Sequence, residues 1–262
     1  MRNSKILIIM VLGLFCWLGS NAFAAAPIRV AILDSGSNIG FKEGVNFVDD
    51  TLKDFNGHGT LMSKIIKEAC PGAEFYIVKV IGKNGLVIHE DAVILGLEWA
   101  ISRNVKVINM SLRIKPSEML NAVIKKAHEK GIILVSAAGN NDRHSDSYYS
   151  ALEARGFAGS NHGFNADVAY PAKYPEVIAV GALDKYGKIY DQSVQSERVD
   201  LYFKGYYGRK AGTSVASAQV AGTIARVLAA RAGSGDRTKF IAQERQMLEL
   251  IDSVELRCSK PL

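Results

Sequence analysis

The chain has 262 residues, of which 48% are hydrophobic and 22% are charged. This is enough apolar material for one large globular domain or two small ones. The formal net charge is +6, and the basic residues are scattered along the chain rather than gathered in one segment. Such a small excess argues against a dedicated nucleic-acid-binding surface, so we expect no nucleic-acid partner.

Residues 1–24 have the pattern of a secretory signal peptide. Arg2 and Lys5 precede an apolar run over residues 6–18, and an Ala-Phe-Ala exit follows. The run is shorter than the ~20 residues that a membrane span needs. We therefore predict cleavage after this segment and export to the periplasm or the medium. The mature domain, residues 25–262, is expected to have no stable membrane insertion.

Three cysteines are present, and Cys16 would leave with the signal peptide. Cys70 and Cys258 remain as an even pair in an oxidising compartment, which predicts a disulfide bond. The alternative is two buried free thiols.

Strand-like and helix-like segments alternate along the chain. Short apolar runs typical of buried strands lie at residues 28–33, 75–80, 105–110, 132–137 and 177–181. Helical patterns lie at residues 61–69, 91–104, 117–131 and 211–230. The alternation predicts a three-layer α/β fold, in which a mostly parallel twisted sheet carries helices on both faces.

Two polar residues stand where such a fold places functional groups. Asp34 follows the strand at residues 28–33, and the carboxyl ends of parallel strands are where open α/β sheets bind ligands. Considered alone, Asp34 is better interpreted as the start of a turn. His58 lies between two glycines immediately before a predicted helix, which favours a position facing out of a bend. An ordinary surface or core histidine is the alternative.

The segment at residues 211–230 is rich in alanine, valine and glycine, which predicts a buried central helix. Ser214 lies in its first turn, where free N–H groups and the helix dipole favour negative charge. A serine there becomes reactive if a base is near. Otherwise it is an ordinary N-cap.

These segments together resemble the subtilisin-like serine proteases, the subtilases, over about residues 28–230. The matching stretches are VAILDSG around Asp34, NGHGT around His58, ILGLEWAISRNVKVINMSL ending at Leu112, ILVSAAGN ending at Asn140, YPAKYPEVIAVGALD from Tyr170, and GTSVAS around Ser214. They occur in the family's order, and the sequence of Asp, His and Ser is that of subtilisin.

The resemblance implies a serine endopeptidase that forms an acyl-enzyme intermediate. Ser214 would be the nucleophile, His58 its general base, and Asp34 the carboxylate that orients the imidazole. Asn140 would stabilise the oxyanion together with the Ser214 backbone N–H. The alternative is a catalytically silent pseudoenzyme that binds a peptide or protein partner.

The resemblance further implies a monomer that acts on a peptide or protein substrate, with a cis bond between Tyr170 and Pro171. Whether a separate inhibitor or chaperone controls the chain is left open. The substrate-binding residues implied are Ser111, Leu112, Arg113, Gly139 and Thr213. Arg113 replaces a glycine of the family's specificity pocket, which predicts small or acidic side chains at the cleavage position. The alternative is an Arg113 side chain turned to solvent.

Three departures from the family pattern shape further expectations. Ala218 and Gln219 replace the usual Pro-His, which leaves the proposed triad intact. Only residues 25–27 separate the predicted cleavage site from the first strand, so we expect a compact member without a propeptide that folds unaided. Residues 70–74 leave no room for the family's calcium-binding loop, so we expect no dependence on that ion and no cofactor.

One segment, residues 141–169, is longer than is usual in the family. His144, Asp146, His162 and Asp167 lie within it, but their spacing matches no metal-ligand pattern. We therefore interpret the segment as a variable surface loop rather than a metal site.

Overall fold

The structure is a computed structural model that describes residues 26–83, 90–141, 167–234 and 249. Within these residues seven parallel strands form one sheet, in the order β2-β3-β1-β4-β5-β6-β7. The strands are β1 Arg29–Asp34, β2 Glu43–Asn46, β3 Glu74–Lys79, β4 Val107–Met110, β5 Ile133–Ala137, β6 Val177–Leu183 and β7 Leu201–Lys204. A separate antiparallel hairpin pairs β8 Tyr206–Tyr207 with β9 Lys210–Ala211.

The described helices lie on both faces of this sheet. They are α1 His58–Ala69, α2 Glu90–Ser102, α3 Glu118–Glu129 and α4 Thr213–Ser234. Side chains alternate along β1, so Val30 and Ile32 join the core beneath α1 and α4, while Ala31 and Leu33 join the core beneath α2 and α3. The predicted three-layer, mostly parallel architecture is confirmed.

The predicted elements are found within a few residues of their expected bounds. The stripe of α3 is buried as expected at Leu120, Val123, Ile124 and Ala127. The N-cap of α3 is Ser117, whose hydroxyl accepts a hydrogen bond from the Leu120 N–H at 3.0 Å. The sequence did not predict β2 or β7. Both are edge strands of the sheet with one neighbour each, so they need no continuous apolar run.

Helix α4 is the buried central helix that its composition predicts. Its buried residues include Ala216, Ala218, Ala221 and Ala225, each with no exposed surface. Gly222 lies where α4 packs closely on α1. A Cβ added there would lie only 2.6 Å from the Ala69 Cβ, too close for a larger residue. Small side chains therefore let the two helix backbones approach each other closely at this point.

Cys70, one partner of the predicted disulfide, lies at the end of α1. Cys70 follows the helix directly, and its carbonyl accepts the Ala73 N–H at 3.1 Å in a turn that leads straight into β3. Cys70 is a buried free thiol, and Cys258 lies outside the described residues, so the disulfide stays a prediction.

The Tyr170–Pro171 bond is cis, as expected. None of the helices in the described ranges has the length and apolar character needed to cross a bilayer.

Candidate active site

The residues singled out in the sequence gather at one edge of the sheet. Asp34 ends β1, Ser111 follows β4, and Asn140 lies just beyond β5, three neighbouring strands whose carboxyl ends point the same way. Helices α1 and α4 begin at His58 and Thr213. Parity places Asp34 on the same face of β1 as Ile32, which is the face that α1 and α4 cover.

Asp34 and His58 form a close hydrogen-bonded pair. His58 Nδ1 lies 2.8 Å from Asp34 Oδ1 and 2.9 Å from Oδ2. The carboxylate accepts, so Nδ1 carries the proton and a neutral imidazole keeps its lone pair on Nε2. The Asp34 side chain is 1% exposed whereas that of His58 is 35% exposed. The imidazole, which can act as the base, is therefore partly open to solvent, while the carboxylate that holds it is buried.

The charge of Asp34 raises the pKa of His58 above the ordinary value of 6.5. Burial of the ring opposes this increase, while the hydrogen bond to Asp34 and the nearby charge of Asp54 add to it. Lys210 lowers the pKa slightly by charge repulsion. The balance favours an imidazole that readily accepts and holds a proton.

Helix α1 begins three residues earlier than the predicted Leu61, because side chains outside the helix bind its first N–H groups. The His58 N–H donates to Asn56 Oδ1 at 2.7 Å, and the Gly59 N–H donates to Ser35 Oγ at 3.0 Å. The Thr60 N–H donates to Asp54 Oδ2 at 2.7 Å. The sequence reasoning missed Ser35, Asp54 and Asn56. Asp and Asn just ahead of a helix are the capping signal that could have identified two of them.

Asp54 is 3% exposed and connects the strand, the loop and the helix. Its Oδ1 accepts from the Ser35 hydroxyl at 2.9 Å and from the backbone N–H of Asn56 and Gly57 at 3.1 and 2.8 Å. Burial alone would raise its pKa, but the hydrogen bonds from Thr60, Gly57 and Ser35 outweigh burial and lower it. Asp54 is therefore a charged group held inside the loop before His58.

Ser214 lies in the first turn of α4, above a chain of buried hydroxyl groups. Its carbonyl oxygen accepts from Ser217 Oγ at 3.0 Å and from Ser111 Oγ at 3.2 Å. These two hydroxyl oxygens are 2.9 Å apart, and Asn109 Nδ2 donates to Ser111 Oγ at 3.0 Å. These hydrogen bonds link the first turn of α4 to the carboxyl end of β4.

Within the described part of the chain, the Ser214 hydroxyl makes no hydrogen bond to the His58 ring. Catalytic hydrogen bonds are often long in a substrate-free site and tighten when substrate binds. The structure brings Asp34 and His58 into contact, and the packing of α1 on α4 brings the first turns that carry His58 and Ser214 to the same edge.

Asn140 is held by the start of α4. Its Oδ1 accepts from the Thr213 N–H and from Thr213 Oγ1, both at 3.0 Å. A backbone N–H can only donate, so the side-chain oxygen faces Thr213 and Nδ2 is the end of the amide that can donate elsewhere. Thr213 Oγ1 also accepts the Gly139 N–H at 3.3 Å. Asn140 Nδ2 and the first-turn N–H of Ser214 are therefore donors at the same edge of the sheet.

The sequence model of the Subtilase family matches residues 27–250. The chain belongs to the subtilase family. Subtilisin E of Bacillus subtilis (strain 168) is 32% identical, in an alignment that covers 88% of this chain and 62% of that protein. The subtilisin of Bacillus pumilus is also 32% identical and aligns over 88% of this chain and 86% of its own length.

A solved structure supports the same fold. The crystal structure of a cold adapted subtilisin-like serine proteinase superposes with a TM-score of 0.61 at 24% identity, covering 80% of this chain and 78% of that one. The chain spans 62% of the length of several subtilisins that it matches, less than two thirds of those proteins.

Three residues of this subtilase that the sequence predicted to bind substrate differ in their exposure to solvent. Ser111 and Leu112 are buried, and Leu112 packs in the core beneath α2 and α3. Arg113 is exposed, yet its guanidinium lies close to Gly139, since a Cβ added at Gly139 would lie 3.2 Å from Arg113 Nη2. The side chain thus reaches solvent while its tip lies beside the residue that precedes Asn140.

The described residues of this subtilase contain no group of three or more His, Cys, Asp or Glu side chains that could hold a metal ion. Helix α1 runs uninterrupted to Ala69, and the turn at residues 70–73 is closed by its own backbone hydrogen bond, so this turn does not fit a calcium-binding loop. Asp167 Oδ2 pairs with Lys173 Nζ at 2.6 Å. His144, Asp146 and His162 lie outside the described residues.

Proposed function

We propose that the chain is an exported serine endopeptidase whose catalytic residues are Asp34, His58 and Ser214. The observation that carries the proposal is the Asp34–His58 pair, with its base on Nε2, at the start of a helix packed against α4. A buried carboxylate bonded to a partly exposed imidazole, at the same sheet edge as a serine in a helix's first turn, supports activation of that serine as a nucleophile.

In the proposed reaction, Ser214 Oγ attacks the carbonyl carbon of the substrate while His58 Nε2 takes the hydroxyl proton. Asp34 holds the imidazole in the required tautomer and stabilises the imidazolium that forms. Asn140 Nδ2 and the Ser214 N–H donate to the oxyanion. His58 then protonates the leaving amine, and water hydrolyses the acyl-enzyme by the same path.

Labelling with a fluorophosphonate probe tests this proposal, because the probe reacts covalently with activated serines. We expect the purified full chain to be labelled and to cleave a protein substrate. Ser214→Ala should abolish both. Ser102→Ala is the matched control, since Ser102 is an exposed serine of α2 whose hydroxyl bonds the Trp99 carbonyl. A folded wild-type chain that stays unlabelled would contradict the proposal and favour a peptide-binding pseudoenzyme.

We further propose that residues 1–24 direct export and that residues 25–262 form the peptidase domain. The support is the sequence pattern of two basic residues, an apolar run and an Ala-Phe-Ala exit. N-terminal sequencing of the protein from periplasmic and medium fractions is the test. A chain that begins at Ala25 is expected, and a cytoplasmic chain that retains residues 1–24 would contradict it.

A further inference from the structure

Arg113 is fixed at the reacting edge of the sheet by the backbone on both sides of it. Ser111 and Leu112 before it are buried at the end of β4, and the Ile114 N–H after it donates to the Tyr170 carbonyl at 3.0 Å. The short segment between these anchors has little freedom. The Arg113 side chain therefore leaves the backbone from a defined place, toward the end of the neighbouring strand β5.

The guanidinium of Arg113 lies close to Gly139, on the side where any other residue would carry its Cβ. Gly139 has φ +117°, a conformation that other residues rarely adopt, and a Cβ there would lie 3.2 Å from Arg113 Nη2. The same Cβ would lie 3.4 Å from the Ala169 Cβ and from Val194 Cγ2. The cation and two apolar side chains therefore surround the place where Gly139 lacks a Cβ, one residue before the proposed oxyanion donor Asn140.

No ion pair of Arg113 is found in the described part of the chain. Among the described residues, no carboxylate lies within ion-pair distance of its guanidinium. Asp167, which lies two residues before Ala169, is paired with Lys173, while Asp34 and Asp54 are engaged at the start of α1. A guanidinium that faces no carboxylate among the described residues is suited to bind a substrate carboxylate through two parallel hydrogen bonds.

We propose that Arg113 selects substrates with an acidic side chain at the residue whose carbonyl is attacked. This inference rests on the proposed function, because it assigns a specificity to that site. A glutamate or aspartate side chain would bind the guanidinium, while the substrate carbonyl meets Asn140 and the Ser214 N–H. A charged guanidinium close to Gly139 also disfavours a large apolar side chain of the substrate at the same position, because such a side chain would cover the charge without pairing it.

Quenched fluorescent peptides that differ only at this residue provide the test. Glu and Gln are nearly equal in shape, so their ratio of kcat/KM isolates the charge. We expect the wild-type chain to prefer Glu by about tenfold or more, the scale of a hydrogen bond to a charged group. The preference should fall as salt rises, because the interaction is partly exposed. A ratio near one would overturn the inference.

Two variants distinguish the effect of Arg113 on specificity from the effect of the overall positive charge of the surface. Arg113→Gln should bring the Glu-to-Gln ratio close to one. Lys115→Gln removes an equal charge from an exposed residue two positions away and should leave the ratio as it is. A preference for Glu that persists in Arg113→Gln would assign the specificity to another group and overturn the inference.

A binding measurement keeps this inference separate from the proposed catalytic function. Labelled peptides that end in Glu or Gln are titrated into Ser214→Ala, which cannot form the acyl-enzyme. We expect the Glu peptide to bind about tenfold more tightly, and the added Arg113→Gln change to remove the difference. Equal binding of both peptides overturns the inference, even if the wild-type chain is labelled at Ser214. A difference without labelling overturns the catalytic proposal alone.

Discussion

The Ser35 hydroxyl donates to Asp54 Oδ1 at 2.9 Å and accepts the Gly59 N–H at 3.0 Å. Ser35 directly follows Asp34, and Gly59 directly follows His58. One hydroxyl therefore joins the carboxyl end of β1 to the first turn of α1. The relative positions of Asp34 and His58 depend on this contact as well as on their own hydrogen bond.

Asp54→Asn is expected to destabilise the fold and lower activity. An amide oxygen cannot replace both carboxylate oxygens, so a buried N–H at the start of α1 loses its acceptor, at a cost of about 1–3 kcal/mol. Chemical unfolding and kcat/KM measure the two effects. Asp50→Asn, a change at an exposed aspartate, should have little effect on either.

The same variant has a pH signature. The pKa of Asp54 is lowered from 3.8, so its charged form is favoured in the folded state. The resulting stabilisation is fully present above about pH 3.8 and is lost as pH falls through the lower folded-state value. The difference in unfolding free energy between wild type and variant should therefore shrink in acid. A difference that grows in acid would contradict the role of this charge.

Activity should rise with pH as His58 loses its proton. Because Asp34 raises the pKa of His58, the midpoint of kcat/KM against pH should lie above the ordinary value of 6.5. Asp34→Asn should move the midpoint down and lower kcat by about 10⁴-fold, the loss seen when a serine protease triad loses this carboxylate. An unchanged midpoint in the variant would mean that another group titrates.

Asn140→Ala should lower kcat by about 10²–10³-fold with a small change in KM, a magnitude known for loss of one oxyanion donor in subtilisin. Asn140→Asp separates the donor from the anchor. An aspartate keeps an oxygen for the Thr213 N–H and hydroxyl but offers no N–H to the oxyanion. Both variants should lose activity by steady-state kinetics while they unfold at a similar temperature. A fully active Asn140→Asp chain would exclude the donor role.

Lys79→Met should destabilise the chain by about 3 kcal/mol, the scale for removal of one partner of a buried ion pair. Lys79 is 1% exposed, and its Nζ lies 2.7 Å from Asp49 Oδ2 and donates to the Thr51 and Lys53 carbonyls at 3.0 and 2.9 Å. Removing one partner leaves a largely buried carboxylate unpaired. The lysine also holds the loop that leads to Asp54.

Lys126→Met is the control for the Lys79 experiment. The Lys126–Glu98 pair has the same 2.7 Å separation, but its side chains are 49% and 40% exposed. Exposed pairs contribute less than about 1 kcal/mol, so chemical unfolding should separate the two variants clearly. Equal losses would mean that the burial of Lys79 does not matter.

Removal of calcium is expected to leave activity unchanged. Helix α1 is continuous to Ala69, and the turn at residues 70–73 leads directly to β3 without a loop that could bind an ion there. Peptide hydrolysis and thermal unfolding with and without a chelator provide the measurement. Loss of activity in the chelator, restored by added calcium, would show that a site elsewhere in the chain matters.

The sequence alone determined the fold class, because hydrophobic periodicity depends on local spacing. The run at residues 28–33 and the stripe of α3 are readable from a few neighbouring residues, and both are buried as expected. It also nominated Asp34 and His58, since each lies where a regular element begins or ends. Family motifs suggested the proposed role of Asn140, which no periodicity could suggest.

Only the tertiary structure decided which groups touch. The contacts of Ser35 with Gly59 and of Arg113 with Gly139 join residues that are distant in sequence. They exist because parallel strands bring their carboxyl ends to one edge, where α1 and α4 also begin. Local patterns carry no information about such distances, so the link from Ser35 to α1 and the position of Arg113 beside Gly139 could be seen only in the assembled sheet.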